Sequence, residues 1–139
     1  MVDDLKIAVA SSVSSLRAQS TRMRILSENL ANATATASTE DGEPYRRKIV
    51  SFRSELDRAS GASVVRVQQI SRDSSPFPIQ NDPGHPAADK NGNVKMPNVN
   101  SLVELADMRE ASRSYEASLQ VVKQTREMIG NLVDLLRVK

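Results

Sequence analysis

The sequence predicts an elongated α+β fold in which long N- and C-terminal α-helices form a coiled-coil-like stem and a small β-rich lobe fills the middle. Three observations carry this prediction. The stretch from Asn100 to Lys139 holds no proline and one glycine, Gly130. Apolar side chains recur seven apart near both ends of the chain. Short β-branched runs, broken by Gly and Pro, fall between them. The expected divisions are residues 1–33 for the first stem helix, 34–98 for the linker and lobe, and 99–139 for the second stem helix.

In the C-terminal stretch, Met108, Tyr115, Val122, Ile129 and Leu136 lie seven apart, with Ala111, Leu119, Leu132 and Val133 alongside, and so form a seam on one helix face. At about 1.5 Å per residue the helix is roughly 55 Å long. That exceeds what a chain this size needs to close a core, so the seam seeks a partner. Near the N-terminus Val2, Val9, Leu16, Met23 and Leu30 repeat the spacing, flanked by Leu5 and Leu26, over a helix expected from Asp3 to about Asn32. Asp3 and Asp4 suit a helix start, and Arg137 and Lys139 suit a helix end. Ser12 and Gln19 interrupt the first seam, and serines crowd positions 11–15, so this helix is weak alone and fits one that orders on docking. The pattern by itself leaves an ordinary two-helix hairpin of a small monomer open.

Between the helices, Ala31 to Pro44 is small and polar and reads as linker. A strand is expected over Tyr45–Arg53 and another over Val64–Ile70, the second ended by Ser74-Ser75-Pro76-Phe77-Pro78. The Arg46-Arg47-Lys48 triplet reads as a solvated edge that discourages strand pairing, with phosphate binding the sharper alternative. Asn91-Gly92 is a type I′ turn signal and predicts a hairpin of Ala88-Asp89-Lys90 with Asn93–Met96. Asn29, Asn32, Asn98 and Asn100 are expected to satisfy backbone groups at helix ends.

Composition limits the core. Only 39% of the 139 residues are hydrophobic, and the aromatics are Tyr45, Phe52, Phe77 and Tyr115, so a free monomer is expected to be marginally stable. The net charge of +2 is spread along the chain and implies no nucleic acid. Absence of cysteine removes thiolate metal sites and thiol catalysis. No leader or spanning segment is visible, which by ordinary rules suggests the cytoplasm.

No catalytic constellation, cofactor site or metal site is expected, and no small-molecule substrate. His85, the one histidine, sits in Asp82-Pro83-Gly84-His85-Pro86-Ala87-Ala88-Asp89, which gathers three possible ligands. Asp and Gly beside Pro are also what a tight turn requires, and no second histidine completes a set. The turn is the preferred reading.

The motif residues Ser27, Asn29, Leu30, Ala31 and Asn32, followed by Pro44, Tyr45 and Arg46, resemble the N-terminal signature of the bacterial flagellar rod and hook axial proteins. Asp82, Pro83, Gly84, His85 and Pro86, with Pro97, Asn98 and Asn100 leading into Glu104 and Met108, narrow the resemblance to proximal rod subunits. The resemblance implies a structural role without catalysis or cofactor: helical polymerisation into the basal-body rod that carries torque from the membrane ring to distal rod and hook, required for motility. It implies as partners other copies of the chain, other proximal and distal rod subunits, the rod-to-membrane-ring adaptor and, in transit, the flagellar export apparatus. It also replaces the cytoplasmic expectation with the periplasmic space, reached by type III export without a cleaved signal. The assembly seam it suggests comprises Val9, Leu16, Met23, Leu30, Met108, Tyr115, Val122, Ile129 and Leu136.

Overall fold

The structure, a computed structural model, describes residues 2–137, the side chain of Val2 excepted. Val2 as a seam side chain and Lys139 as a helix-end cation therefore lie outside the described residues. The order is α1 (Val2–Ala31), β1 (Lys48–Leu56), β2 (Ser63–Arg72), β3 (Ile79–Asn81), β4 (Asn93–Lys95) and α2 (Ser101–Arg137). Two long terminal helices enclose in sequence a small β region of two two-stranded antiparallel sheets, which makes the fold α+β. No described helix is long and apolar enough to cross a membrane.

The chain forms two compact units, each assembled from separate stretches. The first comprises residues 1–23, 51–69 and 109–139. Within it α1 and α2 run antiparallel: Ser118 donates to Ser15 Oγ at 3.0 Å, and Arg22 pairs with Glu110 at 3.4 Å. Small side chains make this close approach possible, and the buried residues are correspondingly modest in size: Ala18, Ala62, Val64, Ala111, Val122 and Thr125. The serines that weaken α1 by propensity have a second use. Ser14 donates to the carbonyl of Ser11 at 2.7 Å and accepts the Val65 N–H of β2 at 3.0 Å, which anchors a strand edge to the helix. At the tip of the β1–β2 hairpin, the N–H of Asp57 reaches the Ala62 carbonyl at 2.8 Å. Gly61 turns the chain there with φ of 70°, a left-handed conformation that costs glycine nothing.

The second unit comprises residues 24–50 and 70–108. Its core is Ile25, Leu26, Ala87 and Val94, with Asn29 and Glu104 buried among them. The β3–β4 register pairs Ile79 with Lys95, Gln80 with Val94 and Asn81 with Asn93. This corrects the hairpin expected around Asn91-Gly92. The partner of β4 is the unforeseen strand β3, not residues 88–90, and only Gly92 has positive φ, at 79°. A type I′ turn requires positive φ at both central residues, so the Asn-Gly pair serves another turn. A side chain at position 92 would lie 2.8 Å from Pro83 Cγ, so glycine is demanded by close packing as well.

Candidate functional site

Helical geometry separates two faces of α1. Ser15, Ala18, Arg22, Ile25 and Asn29 follow a three–four spacing, and Ala18, Ile25 and Asn29 are 3%, 2% and 0% exposed. Ser15 and Arg22 meet α2 in the first unit, and Asn29 meets it in the second. Val9, Leu16, Met23 and Leu30 lie on an adjoining face and are all only partly buried. The apolar heptad of the expected assembly seam is thus a different row from the one that carries these polar contacts. Gln19 lies toward that adjoining face, and its Oε1 is buried with no hydrogen-bond partner among the described residues.

In α2 the inward face combines two heptad rows. One contains Met108, Tyr115, Val122 and Ile129, of which Val122 is buried and the others partly buried. The second contains Glu104, Ala111, Ser118, Thr125 and Leu132, and includes the most buried residues of the helix. Hydrophobicity alone hides that second row because four of its five members are small or polar. The register of Ser15 with Ser118 and Arg22 with Glu110 carries the end of α2 past the first described residues of α1. Leu135 and Leu136 are accordingly 71% and 79% exposed, and Val133 is exposed too. A further row, Val121, Met128 and Leu135, is exposed along α2. These stripes are the candidate assembly surface.

The motif residues converge elsewhere, in a buried polar junction of the second unit. Asn29 uses its whole amide: Nδ2 donates to the Lys48 carbonyl at 2.8 Å and to Glu104 Oε2 at 2.9 Å, while Oδ1 accepts from Tyr45 OH and from the Lys48 N–H, both at 2.9 Å. Glu104, fully buried, also accepts from Arg47 Nε at 2.6 Å. Asp73 and Asp107 lie 3.6 and 3.9 Å from the same guanidinium. Burial works against the Arg47 cation, but the hydrogen bond and charge of Glu104, supported by Asp73, outweigh it and hold the guanidinium above its ordinary pKa. Burial, with the charges of Glu28 and Glu104, pushes the Tyr45 phenol up. The Ser75 N–H and hydroxyl hold Asp73 below the usual carboxylate range.

The basic triplet is therefore corrected: it is no solvated edge. Arg46 lies 4.0 Å over the Phe77 ring and donates to the Asp73 and Ser75 carbonyls, Arg47 pairs with Glu104, and Lys48 pairs with Glu28. Each cation has a separate structural partner, and all three partners are remote in sequence. Asn98 accepts the Arg47 N–H at 2.8 Å and donates to the Asp73 carbonyl at 3.2 Å. Of the four asparagines, Asn100 caps the start of α2 through Leu102 and Val103 N–H groups at 3.1 and 3.4 Å, and Asn32 donates to the Glu28 carbonyl at 2.8 Å in the last turn of α1. Asn29 and Asn98 are corrected to bridges between elements.

The remaining motif residues have lesser parts here. Ser27 and Ala31 are exposed, Leu30 is partly buried, and Pro44 and Pro97 are buried. Asp82, Pro83, Gly84 and Pro86 lie exposed in the loop between β3 and β4. Asp82 Oδ1 accepts the Gly84 N–H at 3.2 Å, and Asp89 Oδ1 accepts from the N–H groups of Asn91 and Asn93. Those N–H groups hold Asp89 below the usual carboxylate range, that of Asn93 foremost. His85 Nδ1 accepts the Ala87 N–H at 3.0 Å, and its Nε2 lies 3.1 Å from Thr36 Oγ1. The histidine and both carboxylates are thus engaged in turn geometry. Among the described residues, no group of three or more His, Cys, Asp or Glu is arranged to hold a metal.

Comparison with known proteins follows this geometry. Residues 90–135, which include all but the last two residues of α2, match the family described as flagellar basal body rod FlgEFG protein C-terminal. Over 136 residues, 98% of each chain, the sequence is 54% identical to the flagellar basal-body rod protein FlgC of Agrobacterium fabrum. It is 40% identical to the FlgC of Salmonella typhimurium over 118 residues, 84% of this chain and 86% of that one. The FlgC of Bacillus subtilis is 35% identical over 139 aligned residues, 89% of this chain and 93% of the relative.

Proposed function

Because this chain belongs to the FlgC family of flagellar basal-body rod proteins and is a structural subunit of that rod, we propose that it polymerises helically in the proximal rod through its terminal helices. In this reading residues 1–33 and 99–139 are the polymerising stem, and residues 34–98 are a lobe that adds contacts. The rod so built passes torque from the membrane ring to distal rod and hook and is needed for motility. The partners are copies of the chain, other proximal and distal rod subunits and the rod-to-membrane-ring adaptor, with the export apparatus met in transit. The place is the periplasmic part of the basal body, reached without a cleaved signal, and the role involves neither catalysis nor a cofactor.

One observation carries the assembly reading. The polar contacts of α1 with α2 use Ser15, Arg22 and Asn29, with Ala18 and Ile25 buried in the same row, while the apolar heptad of Val9, Leu16, Met23 and Leu30 lies on an adjoining, partly open face. An apolar row that the subunit does not itself bury gains its stabilisation when neighbours cover it. The test is a deletion strain complemented with the Leu16→Glu, Met23→Glu double variant. The expected result is a secreted, folded subunit, with basal bodies lacking a complete rod and cells that do not swim. Normal rods and swimming would overturn the seam assignment.

A further inference from the structure

His85 ties the loop between β3 and β4 to the linker that follows α1. Its Nδ1 accepts the Ala87 N–H at 3.0 Å, so that nitrogen carries no proton. The ring is then the neutral tautomer with its proton on Nε2, and this N–H donates to Thr36 Oγ1 at 3.1 Å. Backbone bonds hold the ring in place: the His85 N–H donates to the Asp82 carbonyl at 3.1 Å, and Ala88 N–H donates to the His85 carbonyl at 3.0 Å. A small cavity beside the ring is lined by Thr34, Thr36, Gln80, Asp82, Val94 and Met96.

We propose that His85 is an acid-opened clasp: neutral, it fastens the linker at Thr36 to the β3–β4 loop, and protonated, it releases both ends. The reason is donor and acceptor matching. An imidazolium carries a proton on each nitrogen, so Nδ1–H would oppose the Ala87 N–H, an unsatisfied donor pair inside a partly buried turn. The turn must then open, and the Thr36 bond goes with the ring. The linker, β3 and β4 put Thr34, Thr36, Gln80, Val94 and Met96 beside the ring, none of them titratable. The charged group facing it is Asp82, whose Oδ1 is engaged by the Gly84 N–H at 3.2 Å. Asp82 favours the cation through charge, while the Ala87 N–H loses the acceptor that Nδ1 gave it.

Because His85 is the one histidine in the chain, its imidazole is read without ambiguity by nitrogen NMR of the full-length protein. The proposal expects the Nε2–H tautomer in the neutral ring, and loss of the Ala87 and Thr36 bonds once acid has protonated it. Cleavage by a glutamate-specific protease at Glu40 in the linker should rise about thirtyfold from the pH at which the ring is neutral to the pH at which it is protonated, corresponding to the loss of two ordinary hydrogen bonds. Exchange of the Ala87 amide should rise with it, while the β3–β4 amides of Gln80 and Val94 stay protected. The His85→Gln variant, which does not titrate, should show no such pH step. Thr36→Val should expose the linker at both pH values and leave the tautomer unchanged. A neutral ring with its proton on Nδ1, or protonation without linker exposure, would each overturn the clasp. So would an equal acid response in His85→Gln.

Discussion

Glu104 is the residue on which the second unit depends most, because a fully buried carboxylate is tolerated only while its hydrogen bonds to Arg47 and Asn29 persist. Removing one partner of a buried pair leaves an uncompensated charge, so Arg47→Met is expected to lower stability by about 3–5 kcal/mol in urea unfolding. A matched Arg47→Met, Glu104→Leu double variant should recover only part of that loss, since it removes the uncompensated buried charge but strips the buried Asn29 Nδ2 of its Glu104 acceptor. Tyr45 gives a pH signature. Its phenol is raised by burial and by Glu28 and Glu104, so the folded chain keeps a proton that the unfolded chain gives up. The associated stability is whole below the ordinary phenol value near pH 10 and falls as pH rises from there through the raised value. Tyr45→Phe should remove that alkaline slope in urea midpoints measured between about pH 9 and 11.

Helix α2 illustrates how an element is started locally and seated by tertiary contacts. Asn100 accepts the N–H groups of Leu102 and Val103, and Asn100→Ala is expected to cost about 1 kcal/mol, with faster amide exchange confined to the first turn. The heptad rows were legible in the sequence for α2 because Met108, Tyr115, Val122 and Ile129 are large and apolar. The companion row was legible only at Ala111 and Leu132, because Ser118 and Thr125 carry no hydrophobic signal, and the burial of Ala111 and Thr125 follows from small size permitting close helix approach. The same reason hid a row of α1, where Ser15 meets α2 and the small Ala18 is buried while Leu16 and Met23 remain partly open. Serine lowers helix propensity, yet Ser14 and Ser15 hold a strand and a helix that lie far away in sequence.

At the scale of the molecule, a thin core and unburied apolar stripes support the proposal that the subunit completes its stabilisation in an assembly. Leu136 offers a clean separation of folding from assembly, since it is 79% exposed in the single chain. Leu136→Ala should change monomer stability by less than about 0.5 kcal/mol, the range for an ordinary surface substitution. Paired with Ile129→Ala, it is expected to stop rod completion in cells, scored by isolated basal bodies and by motility. The sequence by itself determined the two long helices, the β-rich middle and the family, because periodicity, proline placement and local motifs act over short distances. The Tyr45–Arg53 strand was displaced to Lys48–Leu56, and β3 was missed, since three residues after Pro78 carry too little pattern to be distinguished from a loop. Only the tertiary structure decided which face of α1 meets α2 and where Arg46, Arg47 and Lys48 find their partners. Those choices depend on groups such as Asn29, Glu104 and Phe77 that are distant in sequence, and on matching each buried donor to an acceptor, which no local pattern encodes.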